Sequence, residues 1–167
     1  MVSIKIRMSH LRSRLALVRS GTGAAILPPG VRKLGLTFAM RNADGHMGPR
    51  KFWRYHLPRL QYHNPTVAME VTRHRVDGGD ATLTIEYEGK TETIDVQHKH
   101  ENEITRAVMD LTKAKPVPTS EEDAEIVAQY EMHKVRMEEQ KIINERKRAA
   151  RRAEKSAIGG IGVGRVV

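Results

Sequence analysis

The side chains of this 167-residue chain that could move a proton or bind a metal are its eight histidines, four tyrosines and twenty acids, since it has no cysteine. Disulfides, thiolate metal sites and thiol catalysis are therefore excluded. The densest group of titratable rings lies in GPRKFWRYHLPRLQYHNP, Gly48 to Pro65, which holds Tyr55, His56, Tyr62 and His63. No acid falls in that stretch, so no carboxylate lies nearby in sequence to orient an imidazole, and no catalytic residue is assigned. His98-Lys99-His100 is the tightest histidine pair, but Lys99 would repel a cation and no metal site is expected. The terminal GGIGVG has neither the preceding strand nor the Lys-Ser/Thr ending of a phosphate loop, and reads as a tail. No cofactor and no small-molecule substrate follow from these residues.

The chemistry that fits the stretch better is anion contact. A helix starting at Pro49 would ordinarily place Asp or Glu in its first turn, where the positive end of the helix dipole lies. Here that turn carries Arg50 and Lys51, followed by Arg54 and Arg59, a concentration of charge useful where phosphates sit. Some of Phe52, Trp53, Tyr55 and Tyr62 must also be core, because the chain has only seven aromatic residues.

Charge along the chain points the same way. Residues 1–75 carry fourteen Lys or Arg against two acids, while 76–119 and 120–145 are net acidic. Residues 146–167 return to seven bases against one acid. Two basic zones flanking an acidic middle favour a polyanion bound at particular faces. The first zone is free of acids up to Asp44 and interleaves Arg7, Arg12, Arg14 and Arg19 with Leu11, Leu15, Leu17 and Val18. That composition suits a mitochondrial transit segment, or an arm whose Arg12 and Arg14 lie along nucleic acid. In the second zone Arg146, Lys147, Arg148, Arg151 and Arg152 exceed what a helix C-terminus needs, and are assigned to a polyanion as well. No segment approaches the roughly 18 apolar residues of a membrane span.

These groups need elements to position them. Leu27-Pro28-Pro29-Gly30 ends the N-terminal arm. Leu34, Leu36 and Phe38 alternate with smaller residues as a strand, and Pro49 to His56 follows as a helix ending near Leu57, because Pro58 disfavours helix in the residue before it. A strand with Val67, Met69 and Val71 inward comes next, then a turn at Asp77-Gly78-Gly79-Asp80. A hairpin follows, with Leu83 and Ile85 on one strand and Ile94 and Val96 on the other. Ile104, Ala107, Val108 and Leu111 recur at helical spacing. The order is β-α-β-β-β-α over 32–115. Lys115 to Pro118 reads as a linker, after which Thr119 or Ser120 caps a helix that continues to about Lys155, roughly 50 Å long.

The central residues resemble a known domain. MGPRKFWRYHLPRLQYHNP, an alternating strand, the hairpin YEGKTETIDV and the helix NEITRAVMDL are similar to the domain shared by certain mitochondrial ribosomal proteins and a small accessory subunit of respiratory complex I. Gly48, Arg50, Lys51 and Phe52, leading to Leu57-Pro58, Tyr62 and Asn64-Pro65, carry the likeness, which covers about residues 33–114. It implies an α/β, thioredoxin-like fold, and without cysteine no redox chemistry goes with it. The basic extensions favour the ribosomal branch, and the Phe-Trp-Arg wording resembles the fungal large-subunit form. The resemblance implies a non-enzymatic constituent of the mitochondrial ribosome in the matrix, with mitochondrial ribosomal RNA and other mitochondrial ribosomal proteins as partners. A small-subunit protein and a complex I accessory subunit are the alternatives.

The expected organisation is a basic arm or transit segment over 1–31, the thioredoxin-like domain over 32–115, and a linker, long helix and basic tail over 116–167. Only 32–115 is expected to fold alone. Of the long helix, the acidic half should meet protein or solvent and the basic half RNA.

Overall fold

A computed structural model describes residues 3–75 and 78–159, with side chains up to residue 153. Asp77 of the expected turn, Gly160 to Gly164 of the glycine-rich tail and the Lys155 side chain lie outside the described residues. The chain divides into two units after Ile126. In order, the elements are α1 (Ile4–Arg19), β1 (Ala25–Ile26), β2 (Val31–Ala39), α2 (Met47–Lys51), a π-helical turn (Phe52–His56) and α3 (Leu57–His63). They continue with β3 (Ala68–His74), β4 (Thr82–Tyr87), β5 (Lys90–Asp95), α4 (Glu101–Thr112), β6 (Lys115–Pro116) and α5 (Glu121–Gly159).

The first unit is a mixed α/β structure around a four-stranded sheet ordered β3-β2-β4-β5. β3 runs parallel to β2, whereas β4 and β5 pair antiparallel. The alternation read from the sequence sets the buried face. Leu34, Leu36 and Phe38 of β2 and Leu83 and Ile85 of β4 are buried, and Met69, Val71 and Ile94 pack against them. Register places Leu36 between Val71 and Leu83, so one apolar row crosses three strands. The opposite face presents Lys33, Thr37, Thr72, Thr82, Thr84 and Thr93, half-buried or exposed. Such alternation is what a sheet with one face on a core requires.

Three expectations are corrected. The helix begun at Met47 does not stop before Pro58: α2, the π turn and α3 follow without a break as far as His63. The Leu57 N–H bonds to the Phe52 carbonyl, five residues back. One extra residue in the turn widens the helix just where a proline would otherwise lose a hydrogen bond and press on a carbonyl. Next, the buried stripe of α4 is Ile104, Thr105, Val108 and Thr112, leaving Leu111 46% exposed. The Thr105 and Thr112 hydroxyls donate to the carbonyls of Glu101 and Val108, which lets polar residues take core positions. Finally, the stretch expected to be a free linker contains β6, which pairs antiparallel with β1, and the Val117 N–H donates to the Ala24 carbonyl.

The packed unit therefore extends beyond residues 32–115 on both sides. Ala16, Ala24, Ala25, Leu27 and Val31 are buried. At the other end, Asp123 sits 2.6 Å from the Arg19 guanidinium, and Ser120 caps α5 by accepting from the Asp123 N–H. The second unit is the remainder of α5. Tyr130, Met132, Val135, Met137, Ile142 and Ile143 are all exposed on it. No helix among the described residues is long and apolar enough to cross a membrane.

Candidate nucleic-acid interface

The helical segment Met47–His63 is held against the 98–101 loop by a close approach. A Cβ at Gly48 would overlap the Lys99 carbonyl oxygen, and the carbonyl carbon would lie at 2.9 Å. The carbonyl of Gly45, at φ +79, accepts from the His98 N–H at 3.1 Å, so the turn before α2 and the loop before α4 are joined through backbone. His100 then caps α4 in a capping box with Glu103. His98 and His100 are thus part of a backbone junction. Glu101, one residue into α4, lies 3.6 Å from Lys51 and 3.2 Å from His100.

Arg50, first of the residues assigned to phosphate, turns inward. Its guanidinium donates to the carbonyls of Ala39 and Met40 and lies 6.0 Å from the Phe38 ring centroid. Lys51 is half-buried beside Glu101. Arg59 donates from Nε to the Leu17 carbonyl at 2.8 Å and from Nη1 to the Thr22 carbonyl at 2.7 Å. Burial lowers its pKa from the ordinary value, which leaves a guanidinium charged near neutrality. The first bond satisfies a carbonyl in the last turn of α1, which the helix itself cannot pair, and the second a carbonyl in the loop after it.

The two histidines of the stretch do the same work. His63 Nε2 lies 2.9 Å from the Arg19 carbonyl, and His56 Nδ1 lies 2.9 Å from the Thr22 carbonyl. Desolvation, partly offset by the Thr22 bond, lowers the His56 pKa below its ordinary value. Neutral His56 therefore donates its Nδ1 proton to Thr22. Asn64 completes the junction: its side chain accepts from the Leu27 N–H and donates to the Ala25 and Leu60 carbonyls.

Other candidates face solvent. Arg54 is exposed, its guanidinium 5.6 Å from the Tyr55 ring centroid. Arg12 and Arg14 are exposed on α1, whose Ile4, Met8, Leu11 and Leu15 are exposed too. On α5, Arg146, Lys147, Arg148, Arg151 and Arg152 are all exposed. The candidate residues thus separate into Arg50, Lys51 and Arg59, which bond within the fold, and the rest, which are exposed.

Two features escaped the sequence reading. Arg73 lies over the Trp53 ring at 5.1 Å, and Trp53 leans on Phe38 at 5.9 Å. Period-two counting along Met69, Val71 and Arg73 could have found it, since it puts Arg73 on the helix-covered face, opposite Phe38 in the parallel register. The other is His46, fully buried, with Nδ1 accepting from the Ala39 N–H at 3.2 Å and its ring edge-on to His74. No local pattern marks it.

The fold is held in part by basic side chains on backbone carbonyls, and further arginines lie exposed on its surface. The sequence model of the mitochondrial ribosomal protein L51 / S25 / CI-B8 domain matches residues 49–101, the segment from α2 to the start of α4. The chain belongs to this family of mitochondrial ribosomal proteins. It is 34% identical over 94 residues to the large ribosomal subunit protein mL61 of Saccharomyces cerevisiae, covering 53% of this chain and 69% of that one. It is 47% identical over 85 residues to the protein of the same name from Neurospora crassa, covering 51% of this chain but 42% of the relative.

Proposed function

We propose that the chain is a non-enzymatic constituent of the large subunit of the mitochondrial ribosome, in the matrix, where it binds ribosomal RNA and neighbouring ribosomal proteins. The observation that carries this reading is the likeness to two proteins that bear a large-subunit name, one of them matched over 69% of its length. We read the fold as thioredoxin-like: a parallel β-α-β unit (β2, the α2–α3 segment, β3) followed by an antiparallel hairpin and α4 supports that label.

RNA contact falls to Arg54, Arg12, Arg14 and the basic run 146–152, whose side chains are exposed. Counterion release from RNA phosphates supplies their affinity and makes it salt-dependent. Arg50, Lys51 and Arg59 act indirectly by fixing the surface that carries Arg54. The acidic half of α5 meets protein or solvent, since phosphate repulsion is strong within about 8 Å at physiological salt.

Sucrose-gradient sedimentation of mitochondrial lysate tests the assignment. Tagged protein is expected to travel with the large subunit and to persist through a moderate salt wash. Sedimentation with the small subunit, or with respiratory complex I, would replace it by the corresponding alternative.

A further inference from the structure

We propose that Trp53, flanked by Arg54 and Arg73, is a stacking platform for an unpaired nucleotide. The inference rests on the reading of the chain as an RNA-binding protein, and adds that this face takes single-stranded RNA, where a patch of cations alone would take any phosphate backbone.

Neighbouring rings set the contrast. Phe38 and Phe52 are fully buried, whereas Trp53, between Phe52 and the exposed Arg54, is only half-buried. Its indole rests on Phe38 at 5.9 Å with planes tilted by 47°, so the core fixes the ring without covering it. The Arg73 guanidinium lies over the same indole at 5.1 Å. Beside it Trp53, Arg54 and Pro58 line a hollow of about 450 Å³. No carboxylate is among those lining residues.

An occupant must answer both the apolar ring surfaces and the two cations. A base has a flat π face for the indole and the guanidinium plane, and its own phosphate supplies the negative charge. An acidic peptide would satisfy the arginines and leave the indole wet. An RNA duplex would offer phosphates, but its base faces are stacked on one another and closed to the indole. An unpaired nucleotide uses every group present.

Trp53 is the sole tryptophan of the chain, so its emission reports on the platform directly. The test titrates the full-length protein with a twelve-nucleotide single-stranded RNA and with a twelve-base-pair duplex, following indole emission and the anisotropy of labelled RNA. Single-stranded RNA is expected to quench Trp53. Trp53→Leu should weaken single-strand binding by roughly 5- to 150-fold, the range for loss of one stacked base, and change duplex binding by less than about twofold. Arg73→Gln should weaken single-strand binding as well, and it decides the matter if the Leu variant does not fold. Binding of both RNAs with unchanged emission and unchanged affinity in the variants would overturn the platform while leaving RNA binding intact. Failure of both RNAs to bind the wild type would overturn the platform and the RNA-binding reading together.

Discussion

Gly48→Ala sets two ordinary effects against each other. Gly48 lies within α2, where alanine is intrinsically better than glycine by about 0.8–1.0 kcal/mol, so propensity alone predicts a more stable protein. The added methyl group, however, would overlap the Lys99 carbonyl oxygen and stand 2.9 Å from the carbonyl carbon, against a backbone pinned by the His98 to Gly45 hydrogen bond and by the cap of α4. Relief requires α2 and the 98–101 loop to separate, which also disturbs Ile104 beneath them. Overpacking of this kind typically opposes folding by about 1–3 kcal/mol, and a backbone obstacle belongs at the upper end. The net expectation is destabilisation by about 2 kcal/mol, or a fall in Tm of the order of 5–10 °C. Urea unfolding followed by Trp53 emission and far-ultraviolet dichroism measures it. Gly30→Ala is the control, because a Cβ there meets nothing within 4 Å, and it should stay within about 0.5 kcal/mol of wild type. A Gly48→Ala protein as stable as wild type would refute the steric argument.

Arg50→Gln should lower stability by about 1–3 kcal/mol, because the Ala39 and Met40 carbonyls lose a charged donor, whereas Arg54→Gln should leave the melting temperature within a degree or two and weaken retention on the ribosomal subunit. Comparing melting with co-sedimentation of the two variants separates the fold-holding arginine from the exposed one. Arg59→Met should release the end of α1, read as rapid proteolytic cleavage near residues 17–22 and a loss of about 1–3 kcal/mol, since the Leu17 carbonyl loses its donor and the Thr22 carbonyl keeps only His56. For His56, whose pKa is lowered in the folded state, the unfolded chain binds the extra proton first. Stability should thus be complete above about pH 6.5 and decline as pH falls through the depressed folded pKa; His56→Asn should flatten that decline in urea titrations at pH 5 and 7.5.

What could be read from the sequence was what recurs with a period or stands next to its cause. β2 and β4 were visible because alternation is imposed by a sheet with one buried face, and the Ser120 cap because the signal lies within four residues. Gly48 stood out as the head of a motif, yet its reason, the Lys99 carbonyl fifty-one positions on, belongs to packing. Arg50, Lys51 and Arg59 show the limit most plainly. Their charge was legible and their destination was not, because backbone carbonyls at a helix end or strand end attract a guanidinium as a phosphate does, and only tertiary structure says which is nearer. The π turn hid for a related reason: Pro58 forbids an ordinary helix, and the local rule does not foresee one extra residue absorbing the conflict.

The pairing of β1 with β6 bears on the order in which the chain can become itself. Ala25 meets Pro116, and Arg19 meets Asp123 across 104 residues. A polypeptide delivered N-terminus first, from a ribosome or through an import channel, presents Ala25 and Ile26 long before the strand that pairs with them exists. Closing so long a loop is entropically slow and comes after the sheet and α4 have formed. Until the final third of the sequence arrives, β1 lacks its strand partner and remains in view of whatever binds nascent or incoming chains. Closure of the two-stranded ribbon is then a checkpoint on length: only a chain synthesised past Pro116 can give Ala25 and Ile26 their strand partner.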